Sequence, residues 1–127
     1  MPGNTTNVTS YSLGDRDVRP WGEWEVIASG DGYVCKELRV NPRQALSLQS
    51  HNHRSEHWIV LSGIANVTLD RDTIRLAVNG MIFIPRLAKH RIENPGDEVL
   101  RIVEVQVGDN LDELDIRRFD DRYGRVG

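Results

Sequence analysis

The chain has 127 residues, the size of one domain and too short for two conventional cores. Its 16 Lys and Arg against 19 Asp and Glu give a formal charge of −3, with no basic block to track a phosphate backbone, so nucleic acid is excluded as a partner and small solutes are favoured. Nothing approaches about eighteen consecutive apolar residues, and the amino end (MPGNTTNVTS) is neither cationic nor apolar, so neither membrane association nor secretion is expected and the cytoplasm is the default compartment expected.

Residues 1–14 are polar, rich in Thr, Asn and Ser and without apolar period, which predicts a flexible arm ahead of a domain over 15–127. RPWGEWEVI (19–27) joins a Pro-Trp-Gly turn to an alternating run, and SGDG (29–32) reverses the chain into a strand over Tyr33–Val40. The lone cysteine, Cys35, falls in that strand and is expected to be a buried, inert thiol. Asn41-Pro42 breaks the run. A further strand over Ala45–His51 sets Leu46 and Leu48 on one face and Gln49 and His51 on the other.

His57–Leu61 ends at Ser62-Gly63, and Ala65–Leu69 turns at Asp70-Arg71-Asp72 into Thr73–Ala77. Val78-Asn79-Gly80 is a turn, after which Met81–Ile84 stops at Pro85, Lys89–Glu93 stops at Asn94-Pro95-Gly96-Asp97, and Leu100–Val107 is the most regular strand. Only LDELDIRRFDD (111–121) could form a helical turn or two. About nine short strands between turn signals predict an all-β antiparallel barrel or two-sheet sandwich, with Trp21 and Trp24 closing one end. Exposed edges on so small a sheet favour a homodimer.

Chemistry concentrates in QSHNHRSEHWIVLSG (49–63), which holds three of the four histidines. On an extended strand Gln49, His51 and His53 share a face, a ligand-like grouping that sheet closure would bring to His90. Parity from Glu56 turns Trp58 and Val60 inward and His57 outward.

Gln49, His51, Glu56 and Gly63, at their spacing, resemble the first cupin motif with Gln in place of the usual first His, and Gly80, Pro85, His90 and Asn94 resemble the second. More closely, RPWG (19–22), LSLQ (46–49), HRSEHW (53–58), HRIENPGD (90–97), EVQVG (104–108) and DIRRFDDRYGR (115–125) are similar to type II mannose-6-phosphate isomerase. In that family the domain often forms the carboxyl end of bifunctional enzymes with mannose-1-phosphate guanylyltransferase.

The resemblance implies a small cupin (jelly-roll) barrel in which Gln49, His51, Glu56 and His90 hold a divalent metal ion. Zinc comes first, with manganese, iron, nickel or cobalt as alternatives, since imidazole suits all of these and amide and carboxylate oxygens shift the preference towards the harder ones. It also implies a sugar-phosphate substrate and aldose–ketose isomerisation, for which His53 is a candidate base or a metal ligand replacing Gln49, and His57 a catalytic or structural residue. Arg54, Arg86 and Lys89 flank the ligands as cations for phosphate, with Arg54 and Lys89 the catalytic candidates among them. In the second motif Arg86-Leu87-Ala88 fills a loop where the family carries Gly two residues after Pro, which predicts a rebuilt backbone there. A metal-dependent oxygenase and a sugar-binding or regulatory module without turnover are the alternative readings.

Overall fold

The computed structural model describes residues 7–125, and its regular structure is β throughout. Thirteen strands follow in order: β1 Val8–Thr9, β2 Arg16–Arg19, β3 Gly22–Gly30, β4 Tyr33–Val40, β5 Leu48–Ser50, β6 Arg54–Ser62, β7 Ala65–Leu69, β8 Asp72–Leu76, β9 Met81–Ile84, β10 His90–Glu93, β11 Leu100–Gly108, β12 Asn110–Leu111 and β13 Arg117–Asp120. A six-stranded sheet has the order β2-β3-β4-β11-β6-β9 and a five-stranded one the order β13-β5-β10-β7-β8. Every pairing within them is antiparallel, while β1 and β12 form a separate parallel pair. This is the expected cupin jelly roll, and among the described residues no helix is long and apolar enough to cross a membrane.

Period-2 burial drives the layering. β4 turns Val34, Lys36, Leu38 and Val40 inward, β11 turns Leu100, Ile102, Glu104 and Gln106, and β6 turns Arg54, Glu56, Trp58 and Val60. The register sets Ile102 against Leu38 and Val60, and Glu104 against Lys36 and Trp58. The interior is therefore graded along the strands, apolar at one end and charged at the other. At the apolar end each fully buried Val, Leu or Ile contributes about 1.5–3 kcal/mol. The charged end must be stabilised by its own hydrogen bonds.

Both Trp21 and Trp24 are buried, as expected, and Tyr11 meets Trp24 edge-on at 5.8 Å. Residues 1–6 of the anticipated arm lie outside the described residues; of the rest, Val8–Thr9 pair with β12 and Tyr11 is only 6% exposed. The aromatic ring, not the surrounding polar composition, decides the path there. The segment 111–121 is not helical either: β12 and β13 occupy its two ends, since Arg117, Arg118 and Asp120 pair with β5. The strand expected over Ala45–His51 is shortened to Leu48–Ser50, with a single bridge from Ala45 to Glu93. The expected separation of faces is only partial: Leu46 lines the same cavity as Gln49 and His51, Ser50 is buried between those two, and Leu48 is only partly buried. Cys35 is also only partly covered.

Gly63 reverses the chain between β6 and β7 at φ +87°, a region that only glycine enters freely. The loop of the second motif is not rebuilt: Leu87 itself adopts φ +70° and donates its N–H to the His51 carbonyl at 3.0 Å. A side chain in this conformation costs about 1–2 kcal/mol, and Leu87, 67% exposed, recovers little by burial. Leu87→Gly is therefore expected to raise unfolding stability by about 0.5–1 kcal/mol after the extra chain entropy of glycine is subtracted. Urea titration of both proteins checks it; a less stable variant would show that Leu87 makes compensating contacts.

Candidate metal centre

The site is assembled from three strands and the loops beside them. His51 follows β5, Glu56 lies on β6 and His90 opens β10, where it pairs directly with Gln49 of β5. Residues opposite one another in an antiparallel pair project from the same face. Gln49, His51, Glu56 and His90 are accordingly all buried and all line one cavity. The cavity has about 650 Å³ of space free of protein atoms, open mouth included, of which about 80 Å³ lies deep enough to take the centre of a water molecule.

Ligand atoms of His51, Glu56 and His90 fall within 4.8 Å of one another. His51 Nδ1 donates to the Asp115 carbonyl at 2.6 Å and His90 Nδ1 to the Ala88 carbonyl at 3.0 Å. With the proton thus drawn to Nδ1, each Nε2 presents a lone pair, and the two Nε2 atoms stand 3.2 Å apart. Lone pair against lone pair is unfavourable by itself. A cation between them resolves it, and the Glu56 carboxylate, 3.2 Å from His51 Nε2 and 3.8 Å from His90 Nε2, supplies the charge. Gln49 uses Nε2 on the Ser47 carbonyl at 3.4 Å, which frees the amide oxygen as a fourth, hard donor. The donor set fits a divalent ion.

Electrostatics around this group are severe. Burial opposes charge on Glu56, yet the Arg54 guanidinium holds its carboxyl well below the usual range. Arg54 Nε donates to Glu56 Oε2 at 2.8 Å and Trp58 Nε1 to Glu56 Oε1 at 3.0 Å. Burial pushes His51 down to about 4 and also lowers His90, so both rings stay neutral and able to coordinate. Arg54 Nη2 also donates to His51 Nε2 at 3.2 Å, a contact that a bound cation would displace.

Of the other residues singled out in the sequence, His53, His57, Arg86 and Lys89 are not brought into this cavity. The His53 side chain is 48% exposed, with Nδ1 3.9 Å from Asp109. His57 faces outward as its parity requires and packs tilted against Phe83, ring centres 4.9 Å apart. Lys89 is exposed, its ammonium 4.4 Å above the Phe119 ring, and Arg86 lies 3.9 Å from Asp109. Arg54 does line the cavity, but it is buried and its donors go to Glu56, His51 and the Asp112 carbonyl.

Sequence reasoning passed over Lys36 and Glu104, which face each other across β4 and β11 on the cavity wall. Lys36 Nζ sits 4.0 Å from the centre of the Tyr11 ring and 4.1 Å from that of Trp24. Burial pushes its amine down to about 8, and burial followed by the Glu56 charge pushes the Glu104 carboxyl up to about 8. The signal was available: Lys36 shares parity with Val34, Leu38 and Val40, and Glu104 with Leu100 and Ile102.

Residues 7–121 match the family model described as mannose-6-phosphate isomerase C-terminal. A mannose-1-phosphate guanylyltransferase of Escherichia coli (strain K12) is 49% identical over 108 residues, which are 85% of this chain but 23% of that protein, so the chain spans under a quarter of this relative's length. Among solved structures, the cupin domain of Schizosaccharomyces pombe Cnp3 superposes with a TM-score of 0.65 at 18% identity, covering 68% of this chain and 64% of that one. A Klebsiella pneumoniae protein with a double-stranded β-helix domain gives 0.67 at 17% identity over 95% of this chain and 85% of its own. At such identities the two structures speak for the fold alone.

Removing one imidazole leaves too few donors, so His51→Ala or His90→Ala is expected to abolish stoichiometric binding of zinc, whereas His53→Ala retains it. Elemental analysis of the purified, zinc-equilibrated proteins reads this directly. Loss of metal from His53→Ala would instead put His53 in the ligand set.

Proposed function

The chain belongs to the mannose-6-phosphate isomerase C-terminal family, and from that premise we propose that it interconverts mannose 6-phosphate and fructose 6-phosphate. The observation that carries this reading is the convergence of His51, Glu56 and His90 at a cavity whose remaining wall combines indole rings with charged and amide side chains. Isomerisation moves a proton between C2 and C1 while carbonyl character passes between O2 and O1. A divalent ion held by Gln49, His51, Glu56 and His90, zinc first, would stabilise the negative charge that develops on those oxygens.

The chain's own residues do the rest. Trp58 and Arg54 fix the Glu56 carboxylate, while the backbone carbonyls of Asp115 and Ala88 fix the two imidazoles. The indole walls of Trp21, Trp24 and Trp58 keep bulk water from the reacting carbons. Lys36 is assigned the proton transfer, because its amine lines the cavity and burial brings it near the working range of a general base. His53, His57 and Lys89 do not touch the sugar in this reading, and Arg54 orients Glu56 and His51 instead of holding phosphate. A sugar-phosphate substrate and a lone cysteine suit the cytoplasm.

A homodimer is also proposed. β2 and β9 end the six-stranded sheet, and on them Val18 (77%), Met81 (69%) and Phe83 (50%) are exposed. Apolar side chains on an open edge favour pairing with a second copy. Sedimentation at micromolar concentration is expected to give twice the 14.4 kDa chain mass, and a monomer alone would reject the pairing.

For the reaction, Lys36→Met is expected to lower kcat about 10²–10⁴-fold with metal content unchanged. In deuterated water the wild type should place solvent deuterium on the product carbon that receives the proton. Metal-loaded protein that yields neither product nor exchange with hexose or pentose phosphates would leave the sugar-binding module as the surviving reading.

A further inference from the structure

Buried side-chain polar atoms that find no hydrogen-bond partner among the described residues are Tyr11 Oη, Arg91 Nε, Gln106 Oε1 and Arg118 Nε. All but Arg91 belong to residues lining the cavity. Native proteins rarely leave such atoms unsatisfied, and three of them around one cavity, Gln106 on β11 of one sheet and Arg118 on β13 of the other among them, mark where a polar ligand completes the structure. Arg118 is the charged member. It lies on β13 opposite Gln49 of β5, so its side chain leaves the sheet on the same face as the amide assigned to the metal.

Besides Arg54, two more guanidinium groups line the same cavity, and their situation differs. Arg19 is paired with Asp17 and Glu113, and Arg125 with Asp121 through Nε at 2.7 Å. Arg118 Nε has no acceptor, and Arg125 and Arg19 act on it as like charges, while the one attracting carboxylate, Asp121, is already engaged by Arg125. A buried donor left unpaired beside like charges is costly. An anion entering between the three would remove that cost, and a guanidinium's planar fork matches the oxygens of a phosphate monoester. The cations picked from sequence spacing cannot serve as well: Arg54 is committed to Glu56 and His51, and Arg86 and Lys89 do not line the cavity.

We propose that Arg118, flanked by Arg125 and Arg19, is the phosphate-recognising residue of the cavity, holding a sugar phosphomonoester whose carbonyl end reaches the His51–Glu56–His90 group. The identity of the sugar rests on the isomerase reading; the anion site does not. The carboxyl-terminal segment then contributes a residue of substrate specificity.

The test is calorimetric titration of the full chain with mannose 6-phosphate, mannose and inorganic phosphate, comparing wild type, Arg118→Gln and Arg118→Lys. Wild type is expected to bind inorganic phosphate and to prefer mannose 6-phosphate to mannose. Arg118→Gln should weaken both phosphate-bearing ligands about 10–100-fold while leaving mannose affinity and metal content unchanged, and Arg118→Lys should restore part of the loss. Wild type that binds neither phosphate-bearing ligand overturns the proposal, as does a Gln variant that binds them as tightly as wild type. If melting curves show the Gln variant unfolded, the folded Lys variant decides: unchanged phosphate affinity there, despite the lost fork, overturns the proposal. Turnover is measured separately. Arg118-dependent phosphate binding without isomerisation sinks the isomerase reading and keeps the anion site, whereas isomerisation with an unchanged KM in Arg118→Gln does the opposite.

Discussion

A carboxylate shut away from water, Glu56, sets terms that the surrounding structure has to meet. An unpaired buried charge costs several kcal/mol, and Glu56 is 1% exposed. Both its oxygens are engaged, one by Arg54 Nε and the other by Trp58 Nε1. Those donors come from positions two residues to either side, because side chains i−2, i and i+2 of a strand share a face. β6 must therefore commit three consecutive inward positions to one ionic group before Val60 can begin the apolar part of the core. The neighbouring strand answers in kind: Glu104 also accepts from Trp58 Nε1 at 3.3 Å, and Gln106 Nε2 donates to Glu104 at 3.0 Å.

This gradient explains which parts of the molecule could be read in advance. Where apolar residues alternate and turn residues punctuate them, as in Tyr33–Val40 and Met81–Ile84, the strands have the limits expected from the pattern. Gln49, His51, Glu56 and His90 converge because closing the jelly roll brings β10 against β5. What escaped notice is the charged half of the interior. Lys36 and Glu104 read as solvent-facing residues if charge is taken as the sign of exposure, and only strand parity reveals them as internal. β13 was hidden for a related reason: RRFD has no apolar alternation, and its pairing with β5 can be seen only in three dimensions. His53 illustrates the opposite error, since its parity with His51 counts only while the strand continues, and β5 ends at Ser50.

Leu87 shows how local strain and site geometry are tied together. Its left-handed backbone lets its N–H reach the His51 carbonyl, and the next residue's carbonyl receives His90 Nδ1. One loop thus steadies the His51 backbone and the His90 imidazole, through main-chain atoms that tolerate side-chain replacement. Leu87 thus holds a left-handed conformation of the kind glycine enters freely.

The bond from His51 Nδ1 to the Asp115 carbonyl joins residues 64 positions apart, and the Asp115 carboxylate also accepts from the backbone N–H groups of Asn52 and His53. In a chain made from its amino end, the histidine leaves the ribosome on the order of seconds before the group that orients it. Through that interval the imidazole has no fixed tautomer and its lone pair no fixed direction. A metal ion that needs this direction would therefore find its donor set complete only after translation has passed Asp115 and that segment has folded back onto His51.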